Sequence, residues 1–229
     1  MEQSPLSPAL AGTLVTKKDY TFGVVAGLLI GALFLPVLKT AKPQLFDMLF
    51  WVIIPGFALI VPIGLRIAAY LSQRLPIIWQ MAKFIVIGVL NTFVDLGILS
   101  LLVFIFRNVW DISAEDIFLT LPLIGILSFY SFYKAISFVV ANMNSYYWNK
   151  HWTFEQGAVQ KTKAEFVQFF AVSIVGFLLN VTIASLVFKN VHPIGGLNSD
   201  QWGLIGALCG TIAGLAWNFI GYKLWVFKK

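Results

Sequence analysis

Apolar runs long enough to cross a bilayer alternate with short polar breaks along almost the whole 229-residue chain. The first run, 20–38, follows Lys17 and Lys18. At ~1.5 Å per residue it comes close to the ~30 Å of a bilayer core, and it is too long for a signal-peptide core, so the pattern predicts a retained spanning helix. A second run, 45–65, holds Pro55 and Pro62 and stops at Arg66, predicting a kinked partner helix and a hairpin. An amphipathic connector containing Arg74 and Pro76 then leads to a third helix over 79–106.

The apolar stretch 117–148 is too long for one span. Pro122 divides it into an interfacial or re-entrant segment, 117–127, and a fourth helix over 128–147. A basic polar loop follows, then a fifth helix over 166–188 and a sixth over 202–224. Residues 1–16 are short, contain two Pro and are expected to be disordered.

One ten-residue pattern occurs twice: SYYWNKHWTF at 145–154 and NFIGYKLWVF at 218–227. Lys150 pairs with Lys223, Trp152 with Trp225 and Phe154 with Phe227. Each copy is the foot of a spanning helix, where Lys places its ammonium and Trp its indole among the headgroups. Upstream, the stretch from Phe84 to Asn91 loosely matches that from Phe169 to Asn180. The pattern therefore predicts an all-α integral membrane protein of about six transmembrane helices. Two parallel-repeat helix hairpins, about 78–154 and 164–228, make up four helices over 76–229, and a further two-helix hairpin precedes them over 17–75.

Composition supports this class. Hydrophobic residues make up 59% and charged residues 11%, against about 25% charged in soluble domains. Eleven Lys and Arg lie at the N-terminus, in the 66–83 and 149–163 connectors and at the C-terminus, and four lie in the opposite loops. The positive-inside rule then puts both termini in the cytoplasm, in a multi-pass protein of the cytoplasmic (inner) membrane. The net charge of +6 is scattered at helix ends rather than gathered in a basic domain, which reads as topology and not as nucleic-acid binding. The single cysteine, Cys209, excludes an intramolecular disulfide and a Cys-rich metal site.

The candidate chemistry is intramembrane and polar. Asp95 sits within the third span and is either a functional carboxylate or one hydrogen-bonded to a neighbouring helix. Lys134 is at a similar height and either pairs with it or reaches to the outer headgroups. Asn91, Asn142, Asn144, Asn180 and Asn218 form a polar seam or glue helices together. Lys150 and Lys223, with Arg74 and Lys83 nearby, either clamp a phosphate or attract anionic lipid generally. No nucleophile constellation and no Gly-rich phosphate loop occurs in the sequence, so neither an enzyme nor a cofactor is expected.

The series Phe84, Gly88, Asn91, Thr92, Asp95, the foot Asn149, Lys150, Trp152, Phe154 and the terminal Trp225 to Phe227 resemble the GtrA-like membrane protein family over 78–229. Relative to that pattern, Ser145 and Tyr222 each stand where an Asn is usual, and Lys replaces Arg in both feet. The resemblance implies translocation of an undecaprenyl-phosphate-linked monosaccharide to the outer leaflet for cell-surface polysaccharide or lipid glycosylation. Substrate contacts are then expected at Asp95, Asn91, Lys134, Asn149, Lys150, Trp152, Asn180, Asn218, Lys223 and Trp225. The expected partners are that lipid, bulk membrane lipids, a membrane glycosyltransferase and further copies of the chain. Two other readings are a non-transporting anchor for a glycosyltransferase and a small cation exporter.

Overall fold

The computed structural model describes residues 15–122, 125–155, 163–196 and 199–228. Six helices follow in order: α1 (Lys17–Ala41), α2 (Pro43–Ser72), α3 (Ile77–Trp110), α4 (Phe129–Trp148), α5 (Lys163–Asn190) and α6 (Ser199–Gly221). The protein is an all-α membrane protein. Five helices are long and apolar enough to cross a membrane. The remaining one, α4, has 20 residues, enough for about 30 Å, but carries Lys134, Ser137, Asn142 and Asn144.

The expected interfacial or re-entrant stretch contains two strands, β1 (Ile117–Leu121) and β2 (Gly125–Ser128), which pair as an antiparallel hairpin. One expectation from the sequence needs correction: α2 does not stop at Arg66 but runs on to Ser72, with Pro55 and Pro62 inside it. Residues 1–14 of the expected disordered start lie outside the described residues, while Thr16 caps α1.

Thr16 and Asp19 build a reciprocal cap. The Asp19 N–H donates to Thr16 Oγ1 at 3.2 Å and the Thr16 N–H to Asp19 Oδ2 at 3.0 Å, satisfying two orphan donors of the first turn. The chain divides into two compact units at Thr153/Phe154. In the first, α1 packs along α2 through glycines four residues apart. A Cβ on Gly27 would run into the Phe57 carbonyl, and one on Gly31 would lie 2.8 Å from Ile54 Cα. The core of this unit gathers Ala26, Ile30, Leu65, Ile87, Leu90, Trp148 and Trp152.

The second unit repeats this device. Gly206, Gly210 and Gly214 of α6 press on α5 at Ala184, Asn180 and Gly176, so small residues bring the backbones together where lipid offers no hydrophobic drive. Gly27→Ala is expected to cost about 1–3 kcal/mol by overpacking against backbone. Gly56→Ala, with nothing within 4 Å of the new Cβ, is the control and should be neutral or slightly stabilising. Thermal melts of both variants in detergent check this, and equal melting would contradict it.

Candidate functional site

The hairpin α3–α4 differs from the other two. Its interface is polar where theirs is zipped by glycine. On α4, Lys134, Ser137, Ala141, Asn144 and Trp148 recur at helical spacing and so share one face; on α3, Asn91 and Asp95 do the same.

Asp95 is the centre of this seam. One carboxylate oxygen pairs with Lys134 Nζ, and the other accepts from Ser137 Oγ at 2.6 Å. The two charged side chains retain 42% (Lys134) and 21% (Asp95) exposure, so they line a surface rather than fill a sealed core. Of the alternatives left open by the sequence, Lys134 pairs inward. A charge at this depth costs about 2.5–3.5 kcal/mol on an insertion scale, and pairing offsets part of that.

Toward the foot, the seam carries polar atoms whose bonding capacity is unused. Asn91 Oδ1 and Asn144 Nδ2 are buried without a hydrogen-bond partner among the described residues. Asn144 Oδ1 accepts from Trp148 Nε1 at 3.1 Å. Acceptor and donor positions therefore lie one after another between Asp95 and the foot, the arrangement that hydroxyl groups, each both donor and acceptor, can use. Asn142 turns elsewhere and donates to Phe138 O at 2.9 Å.

The two feet share a backbone form. Each helix ends in a wider π-helical turn, Asn149–Thr153 and Tyr222–Val226, and such turns recur at functional sites. Each lysine lies over the ring four residues earlier: Lys150 Nζ is 5.6 Å from the Tyr146 centroid and Lys223 Nζ 5.8 Å from that of Phe219. The side chains then diverge. Lys150 is 1% exposed, with Nζ 3.3 Å from Tyr146 OH. Asn149 is fully buried; its Nδ2 donates to Ser145 O at 2.9 Å, while Oδ1 has no partner among the described residues.

Trp152 departs most from the sequence reading. It was expected among the headgroups, yet it is fully buried and its Nε1 donates to Asp19 Oδ1 at 3.0 Å. Its repeat mate Trp225 is 57% exposed and stands edge-on to Trp217 at 5.4 Å, as an interfacial anchor would. Asn180 and Asn218 belong to the glycine-packed second unit. Asn218 Oδ1 sits against Gly176, and Asn180 against Gly210 and Gly214.

The residues expected at the site therefore fall into two groups: Asn91, Asp95, Lys134, Asn149, Lys150 and Trp152 in the first unit, and Asn180, Asn218, Lys223 and Trp225 in the second. Ser137 and Asp19 were missed. For Asp19 the signal was present, since Thr16-x-x-Asp19 is a capping pattern that places a carboxylate in the first turn.

The family model described as GtrA/DPMS, transmembrane domain, matches residues 83–227. The chain belongs to the GtrA/DPMS transmembrane family. That assignment makes it a multi-pass membrane protein of a group connected with polyprenyl-phosphate sugars and membrane lipids, and it leaves α1 and α2 outside the shared core. Among curated relatives, the uncharacterized membrane protein YngA of Bacillus subtilis (strain 168) is 28% identical over 148 residues, 64% of this chain and 78% of that protein. No solved structure matches the chain. Within the GtrA/DPMS core, the Asp95–Lys134 seam lies in the first hairpin, α3–α4.

Proposed function

We propose that this protein moves a polyprenyl-phosphate-linked monosaccharide from the cytoplasmic to the outer leaflet of the cytoplasmic membrane, for glycosylation of cell-surface polysaccharide or lipid. The observation that carries this reading is the α3–α4 seam: the Asp95–Lys134–Ser137 cluster, followed by the unused polar atoms of Asn91 and Asn144. A sugar crossing hydrocarbon loses its hydration and needs replacement hydrogen bonds. This seam offers a carboxylate, an ammonium, a hydroxyl and two amide atoms in sequence.

In this account both termini are cytoplasmic and the feet lie at the headgroup level of the inner leaflet. Each unit offers a foot lysine to an anionic headgroup, Lys150 in the first and Lys223 in the second, while the sugar travels along the α3–α4 seam and the prenyl chain stays in lipid. The aromatic residues of the feet, Trp225 in particular, hold the helix ends at the interface.

The test uses proteoliposomes with a labelled polyprenyl-phosphate monosaccharide in one leaflet, and follows its appearance at the other with a membrane-impermeant reagent. Transfer should exceed that in protein-free vesicles. A folded sample that binds the lipid yet adds nothing to the protein-free rate would refute the proposal.

A further inference from the structure

The GtrA/DPMS match begins at Lys83, yet the charge of Lys83 is balanced by a residue outside it. Lys83 Nζ lies 2.7 Å from Asp19 Oδ1, with side-chain exposures of 1% and 3%. Trp152 Nε1 donates to the same oxygen at 3.0 Å, and Lys83 Nζ also donates to Trp152 O at 3.4 Å. The ammonium stands 4.7 Å from the ring centroid of Trp79 and 5.9 Å from that of Trp152. Thr16 holds the second Asp19 oxygen through its N–H at 3.0 Å and its Oγ1 at 2.6 Å.

Two donors of the shared core, from the start of α3 and from the first foot, thus converge on one carboxylate oxygen, with the ammonium beside the rings of Trp79 and Trp152. That is an oxyanion site, and the added hairpin supplies the oxyanion. A buried ion pair is seldom more stabilising than a well-packed apolar pair, so stability alone does not account for its presence. A phosphate oxygen is an acceptor of the same kind as a carboxylate oxygen and can take both donors in its place.

We propose that Lys83 and the Trp152 indole N–H form a phosphate-binding subsite at the foot of the core, and that Asp19 is a built-in anion occupying it until a phosphate displaces it. Only the identification of that phosphate with the transported lipid rests on the function proposed above. Displacement needs movement of the first turn of α1, with release of Lys18 Nζ from His151 O, to which it donates at 2.7 Å. The next turn is held by Phe22 against Trp148 and Trp152 at 5.2 and 5.8 Å.

The experiment measures binding of undecaprenyl phosphate, undecaprenol and inorganic phosphate to the full-length protein in detergent. If Asp19 fills the site in nine chains of ten, Asp19→Asn should tighten undecaprenyl phosphate binding about tenfold. Adding Lys83→Gln should remove the gain, and undecaprenol should be unaffected throughout. A gain for the lipid alone identifies a headgroup site, and a gain for inorganic phosphate as well identifies a general phosphate site. Unchanged or weaker phosphate binding by folded Asp19→Asn protein would overturn the proposal.

Should that variant not fold, the wild type gives the answer. Saturating undecaprenyl phosphate should speed amide exchange over 16–20, and undecaprenol should not; unchanged or slowed exchange would overturn the proposal. Tightened binding without transfer in proteoliposomes would refute translocation but keep this site, and transfer without tightening would do the reverse.

Discussion

Replacing Asp95 by Asn should lower translocation at least about tenfold, a loss of some 1.4 kcal/mol or more of barrier stabilisation, while leaving the protein folded. Asn keeps the shape and can still accept from Ser137, so the 2.6 Å contact survives. What disappears is the charge that holds Lys134. Its ammonium, already 42% exposed, is then free to extend toward the nearer headgroups and leave the seam. A passage with alternating carboxylate and ammonium loses both at once. Flux in proteoliposomes measures this, with lipid binding as the control for folding. An anchor that only recruits a glycosyltransferase would tolerate the change, so undiminished transfer by the variant would remove Asp95 from the path.

The second large effect concerns stability. Lys83→Ala should destabilise the first unit by about 3–5 kcal/mol, because it strands the Asp19 carboxylate in a site where the pair is only 1% and 3% exposed. Removing both charges should be milder. In the double variant Asp19→Leu/Lys83→Met no charge is left uncompensated, and most of the loss should be recovered. Melting or denaturant titration in detergent distinguishes the cases. Equal destabilisation of single and double variants would mean that Lys83 acts through its packing on Trp79 and Trp152 rather than its charge.

The helices were legible because a lipid-facing run must be apolar over a fixed length. The same counting placed Asp95 and Lys134 at similar heights and left pairing open; they do pair. The hairpin Ile117–Leu121/Gly125–Ser128 was not legible, since a short apolar run fits a buried strand and a helical segment alike. Extension of α2 past Arg66 was hidden for a related reason: a long cationic side chain can reach water while its backbone stays helical.

Foot residues were harder still. Trp152 and Trp225 occupy the same repeat position, and only a partner 133 residues away, Asp19, turns one inward while the other stays exposed. Hydrophobic pattern cannot separate lipid-facing from protein-facing indoles. The glycine stripes 23–27–31 and 206–210–214 were present in the sequence as small residues four apart; they mark the two closely packed hairpins and, by contrast, single out α3–α4.

The most direct test of the central claim asks where the sugar touches the protein. A polyprenyl phosphate bearing a photoreactive monosaccharide is irradiated in proteoliposomes during transfer, and the labelled peptides are mapped. Adducts are expected on α3 around Asn91 and Asp95 and on α4 between Lys134 and Asn144, reduced by unlabelled lipid. Adducts confined to the glycine-packed α5 and α6, with α3 and α4 unlabelled, would contradict it.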